Sequence, residues 1–272
     1  MKLKKRRGVI GVAALLFILL AMAFPFGPLL PWSPVKPGYH TVSYASADIY
    51  VGGGDDRIGD YGDVDRMMRE AEAFHQMKYR RRVRVIACRS WSDCERALPW
   101  LHVKVIGGVT LATGDVIYIT PRLKEKNLSA AEFLRHELSH ALLDQQTTVR
   151  KALKMNEQSW FSEGLAVSFG DQKAYLSRAE FLERAPKEDL AKFIDPEVMD
   201  ISAPAWDARF AYVAQRYFLE YLKGRFGAER FQGFTVKYID NPGDYRNLFN
   251  GAFQISFADA IKQFAQAIKA GQ

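Results

Sequence analysis

Residues 129–145 read S-A-A-E-F-L-R-H-E-L-S-H-A-L-L-D-Q, and residues 156–170 read N-E-Q-S-W-F-S-E-G-L-A-V-S-F-G. Ser129 and Glu132 form a capping-box pattern that predicts a helix starting at 130 and running to 145. At about 100° per residue, Phe133, His136, Glu137, His140 and Asp144 share one arc of that helix, and Leu134, Leu138, Ala141 and Leu142 the adjoining one. The helix therefore has a side to bury and a side for chemistry. His136 and His140 lie one turn apart, so both imidazoles reach one cation, with Glu137 beside them. The second stretch predicts a helix over 157–169 with Asn156 as N-cap and Gly170 as terminator. It offers Glu163 as a third ligand, the number a mononuclear catalytic zinc site takes from its protein. Gly164 is expected to let this helix approach the first closely, with Leu165, Ala166 and Phe169 burying its other side.

Working outward, β-branched or alternating stretches at Thr41–Tyr44, Asp48–Val51, Val83–Ala87, His102–Ile106 and Val116–Thr120 predict strands. Between them, Val64–Met77 and Ser92–Leu98 carry helical patterns. Beyond residue 129 strand signals nearly vanish; further helices are expected at 177–185, 207–226, 228–239 and 256–270. Strands first and helices afterwards is the pattern of an α+β protein, sheet-rich over 41–120 and helical over 129–270.

The chain has 272 residues, 48% hydrophobic and 25% charged, an ordinary globular composition that excludes disorder and coiled coil as overall descriptions. Of the net charge of +7, five positive charges sit at Lys2, Lys4, Lys5, Arg6 and Arg7, leaving about +2 elsewhere. A domain that close to neutral lacks the footprint of a nucleic-acid binder. The uncharged run Gly8–Phe24 follows the basic cluster, and this order sends the following chain across a membrane. Residues 1–35 read either as a signal anchor or as a signal peptide cleaved at Ala21-Met22-Ala23, ahead of a domain at 36–272. The run spans about 26 Å as a helix, slightly short of an apolar bilayer core of about 30 Å. Either way the domain is expected in the cell envelope, facing the periplasm or exterior, or secreted. In an oxidising compartment Cys88 and Cys94 can bond; the alternative is two separate thiols.

H-E-x-x-H at 136–140 and W-x-x-E-G-x-A at 160–166 together resemble the gluzincin metallopeptidases, above all the small peptidase-MA-like domains, and the M1-type aminopeptidase catalytic domain. The resemblance covers roughly residues 83–240 and implies a zincin-like fold with a small mixed sheet, one Zn2+ per chain on His136, His140 and Glu163, and Glu137 as general base. Tyr212, followed by Tyr221, Leu222 and Gly227, fits the layout of the helix that opens with the relatives' catalytic tyrosine; Tyr217 and His102 are the reserve candidates. Two departures matter. Gly107–Thr120 lacks the G-x-M-E-N motif whose glutamate holds a substrate's amine, so endopeptidase rather than aminopeptidase action is implied; that region is expected to form the sheet edge for an extended peptide. The interval from His140 to Glu163 is longer than in several relatives, and its excess falls in a basic loop with Arg150, Lys151 and Lys154. A peptide or protein is the implied substrate, the membrane is contacted only through the N-terminal segment, and no oligomeric state is implied. The alternatives are a non-catalytic peptide-binding envelope protein with a structural or vestigial metal, and an amidase of cell-wall peptide crosslinks.

Asp144 is expected as a solvated helix-end residue or, alternatively, as an orienting partner of a ligand. Gly52–Asp56 reads as a turn, and Arg80-Arg81-Arg82-Val83-Arg84 as a basic run entering a strand at a solvated edge, with anionic lipid contact as the other reading.

Overall fold

The β-branched residues of the first half pair into one sheet, and the second half is helical. The computed structural model of the protein describes residues 28–33, 35–52, 61–172, 175–203 and 206–271. The strands are β1 (Tyr39–Ser43), β2 (Ala47–Gly52), β3 (Val83–Ala87), β4 (Gly108–Thr110) and β5 (Val116–Ile119), in the order β1-β2-β3-β5-β4. β1 pairs antiparallel with β2 and β4 antiparallel with β5, while β2, β3 and β5 run parallel, so β1 and β4 are the edges. The helices are α1 (Val64–His75), α2 (Trp91–Ala97), α3 (Arg122–Glu125), α4 (Ala130–Asp144), α5 (Val149–Gln158), α6 (Trp160–Gly170), α7 (Arg178–Arg184), α8 (Ala191–Ile194), α9 (Ala208–Phe226), α10 (Ala228–Asp240), α11 (Tyr245–Phe253) and α12 (Phe257–Lys269).

The two-residue period of the strands sorts their side chains onto two faces. Val83, Val85, Ala87, Ile117 and Ile119 join Met67, Met68, Leu134, Leu138 and Ala141 in one core between the sheet and α1 and α4. Ile86, Val116 and Tyr118 face the other way, against Leu98 and the disulfide-bonded Cys88 and Cys94. Past α4 a separate core is built from aromatic rings of α6, α9, α10, α11 and α12, centred on Trp160. α6 lies between α4 and α9 and packs extensively on both.

Most expected elements form within a few residues of their predicted limits, and the differences have identifiable causes. His102–Ile106 is not a strand; Val103–Val105 is a 3-10 turn with Val105 exposed. The free edge of β5 is taken by Gly108–Thr110 instead, leaving the preceding valines no pairing partner. The helix expected at 157–169 is broken at Ser159, whose φ of 55° ends α5 and redirects the chain into α6, so Asn156 lies inside α5 and caps nothing. The expected basic loop is therefore largely α5: Ala152 and Met155 are buried, Lys151 pairs with Asp240 at 2.9 Å and Lys154 with Glu157 at 3.0 Å, leaving Arg150 exposed. α11 escapes notice in the sequence because Asn241-Pro242-Gly243-Asp244 reads as a loop. The basic run enters a strand as expected, but that strand, β3, is the central one and not an edge; Arg82 pairs with Asp48 and Arg84 with Asp115, both at 2.8 Å.

The apolar N-terminal run lies outside the described residues, as do Gly53–Asp56. Among the described residues no helix is long and apolar enough to cross a membrane.

Trp160 is fully buried, and rings of Phe161, Phe218, Phe234, Tyr238 and Phe257 surround it at centroid distances of 4.7–6.2 Å. Trp160→Ala is expected to cost about 3–5 kcal/mol of stability through lost burial and a residual cavity. Urea denaturation followed by circular dichroism checks it; a loss below 1 kcal/mol, on the order of a surface substitution, would mean that this ring is not the centre of the core.

Candidate metal centre

α4 begins where Ser129 accepts a hydrogen bond from the Glu132 N–H, and its helical repeat places His136 and His140 one above the other. Their Nε2 atoms stand 3.1 Å apart. From α6, one turn after Trp160, the Glu163 Oε2 atom lies 3.3 Å from His136 Nε2 and 3.6 Å from His140 Nε2. Among the described residues, this is the group of three side chains able to hold one metal ion.

Two glycines hold α6 in place. A Cβ at Gly170 would stand 3.2 Å from the His136 Cβ, and one at Gly164 would stand 2.9 Å from the Gln215 main-chain oxygen on α9. Gly164 thus serves the approach to α9 and not, as the sequence suggests, the approach to α4; Gly170 does that. Leu165, Ala166 and Phe169 are buried as expected.

The triangle fits a small divalent ion. Ligand atoms held at ~2.0–2.2 Å by one tetrahedral ion stand about 3.3–3.6 Å apart, and the observed edges of 3.1, 3.3 and 3.6 Å lie close to that spacing. Without a cation the arrangement leaves polar atoms poorly served: among the described residues Glu163 Oε2 and His136 Nδ1 are buried without an aligned hydrogen bond. A deeply placed carboxylate in that condition calls for a positive partner.

The electrostatics agree. Burial alone would lower the His140 pKa, but the Glu163 carboxylate above all, then Glu137 and Asp144, push it up to about 9. Burial would likewise raise Glu163, yet His140 and His136 hold its carboxyl well below the usual range. In the metal-free protein, then, a proton on His140 supplies the charge that an ion would otherwise bring. His75 on α1 is kept neutral, pushed down to about 3 by burial and then by His140, with its Nε2 2.9 Å from the Ser139 hydroxyl.

Glu137 lies beside the triangle and outside it. The Thr110 hydroxyl on β4 sits 2.8 Å from its Oε2 and 2.9 Å from its main-chain oxygen. Tyr212, in the first turns of α9, has its pKa raised well above the ordinary value by the Glu163 charge and then by burial, so it remains a hydrogen-bond donor. Its ring meets the ring of Tyr175 edge-on at 5.6 Å, and Tyr175 in turn lies 6.5 Å from the His136 ring. Tyr175 escaped the sequence reading because it sits in the irregular stretch after α6, where no periodicity marks it.

Other candidates fall away. Tyr217 stacks on Phe181 at 4.8 Å, and His102 is exposed at the start of the Val103–Val105 turn. Asp144 is not a solvated helix end. It is only 1% exposed, its Oδ1 has no partner among the described residues, and burial raises its carboxyl to about 6 against the opposing pull of His140. The docking of α5 over the end of α4 covers it, bringing Asn156 Nδ2 to 3.4 Å.

Because His140 must lose a proton to bind a metal, ion binding at pH 7 is expected to release about one proton. Affinity should rise about tenfold per pH unit between pH 7 and 8 and level off above about 9. Titration calorimetry in two buffers of different ionisation enthalpy reads the proton directly, and a heat independent of buffer would contradict the imidazolium. Compared with known proteins, the chain matches no family model and no curated protein, so the site is carried by its own geometry.

Proposed function

We propose that the protein is an exported zinc-dependent metallopeptidase of the gluzincin type, an endopeptidase in preference to an aminopeptidase. The observation that carries this reading is the triangle of His136 Nε2, His140 Nε2 and Glu163 Oε2 with the Glu137 carboxylate beside it and not in it. A purely structural site has no use for that extra carboxylate. The mixed sheet with an antiparallel edge strand alongside the histidine helix supports a zincin-like fold. The basic cluster before an apolar run supports export, by anchor or by cleaved signal.

His136, His140 and Glu163 would hold the ion, the two imidazoles neutral and the carboxylate charged. When bound, zinc supplies Lewis acidity that lowers the pKa of a water and polarises the scissile carbonyl. Glu137 accepts the proton of the attacking water and later passes it to the departing amine. Tyr212 donates a hydrogen bond to the oxygen on which charge develops. The outer edge of β4 offers main-chain groups to an extended peptide. Asp115, the acidic residue of the Gly107–Thr120 segment, is bound to Arg84 at 2.8 Å and is not free to hold a substrate's amine, which favours internal cleavage.

Zinc analysis and hydrolysis of fluorescein-labelled casein test the reading. The wild type is expected to carry about one equivalent of zinc, Glu163→Ala to lose it, and Glu137→Gln to keep it while hydrolysis falls on the order of 10²–10⁴-fold. Unchanged zinc in Glu163→Ala removes the third ligand, and undiminished hydrolysis in Glu137→Gln removes the base. Tyr212→Phe is expected to add about 2.7–4 kcal/mol to the barrier with zinc content unchanged. Assaying peptides beside cell-wall fragments separates a peptidase from an amidase of wall crosslinks.

A further inference from the structure

The edge strand touches the candidate base with its side chains as well as lying next to it. Thr110 is on β4, which among the described residues has β5 on one side and no strand on the other. Its Oγ1 is 2.8 Å from Glu137 Oε2 and 2.9 Å from the Glu137 main-chain oxygen. A hydroxyl has one proton to donate. Between a neutral carbonyl and an ionised carboxylate the charge-assisted bond is the stronger, roughly twofold. The hydroxyl therefore engages Oε2. Two residues earlier on the same strand face is Gly108, where a Cβ would stand 2.9 Å from Glu137 Oε1 and 2.9 Å from Glu137 Cγ. The strand thus fastens one carboxylate oxygen through Thr110 and, by having no side chain at 108, leaves the space beside the other.

We propose that Thr110 is a positioning residue for Glu137, holding Oε2 so that Oε1 is the oxygen that takes and returns the proton. This rests on the metallopeptidase reading above. As the bond forms between water oxygen and scissile carbonyl carbon, a water proton passes to Oε1. As the carbon–nitrogen bond breaks, the same proton passes from Oε1 to the amine nitrogen and the carboxylate is restored. Thr110 keeps its own proton throughout and goes on donating to Oε2, which remains an acceptor while Oε1 carries the proton. An extended peptide pairing with β4 would fix Thr110 and so the base it holds, linking occupation of the strand edge to alignment of the proton acceptor.

The test compares Thr110→Val, which removes the hydroxyl and keeps the shape, with Thr110→Ser, which restores the hydroxyl. Thr110→Ala makes the same deletion without a branched side chain and guards against a folding defect peculiar to valine. Fluorescein-labelled casein is the probe, read beside zinc content and crystal structures of the metal-free variants. In the valine and alanine variants, kcat is expected to fall on the order of 10²-fold, the effect of a misplaced catalytic group, with KM and zinc content little changed. The Glu137 carboxylate should leave its position or divide between two, and serine should restore both rate and position. A carboxylate that stays put without the hydroxyl, a kcat unchanged when it moves, or a serine variant as impaired as valine overturns the proposal. If the wild type cleaves no casein, the enzyme reading fails by itself, while the position of the carboxylate still decides whether Thr110 holds it.

Discussion

A carboxylate and two imidazoles drawn into a space with little water repel, strand or neutralise one another unless a positive charge sits among them. The rest of the molecule is arranged so that they meet nonetheless. Glu163 cannot retreat, because α6 is pinned from both sides by the close approaches at Gly170 to His136 and at Gly164 to Gln215. Its first turn is anchored by Trp160 and Phe161 in the aromatic core. The histidines cannot retreat either, since Leu134, Leu138 and Ala141 on the adjoining face of α4 are packed against the sheet. Two hydrophobic cores bring three polar groups together at their junction.

That junction explains the charge distribution around it. A proton on His140 and the charge on Glu163 stabilise each other, and each departs from its ordinary pKa in the direction that keeps both charged. Asp144, one turn beyond His140, is shifted the other way because burial raises its carboxyl more than His140 and the Asn156 amide, at 3.4 Å, lower it. Two acids on adjoining helices thus have their pKa values displaced in opposite directions through burial and partners. On the metallopeptidase reading, Glu163 is the acid suited to remain an anion and ligate.

The sheet's contribution is local. Its interior strands fill space, whereas the three-residue edge strand β4 carries the contacts that reach the site, through Thr110 to Glu137 and through the bare position at Gly108. A short edge strand exposes few unpaired main-chain groups, which limits nonspecific pairing. On the far side of the site Tyr175 and Tyr212 stand ring against ring, with burial and the Glu163 charge keeping both phenols protonated.

Helical periodicity and one capping serine were enough to place His136, Glu137 and His140 on α4, and the strand-then-helix order was enough for the mixed architecture, because both depend on neighbours within a few residues. The pairing of Cys88 with Cys94 was also within reach, six positions apart across a strand end and a helical turn. The break at Ser159 was not legible, since a positive φ at serine is imposed by what α5 and α6 pack against and not by serine itself. Nor were the burial of Asp144, the partnership of Thr110 with Glu137, or the place of Tyr175 beside His136, each of which joins residues far apart along the chain or in irregular segments. The sequence by itself determined which side chains share a helix face; only the tertiary structure decided which faces meet, because that depends on how two separate cores pack across α4 and α6.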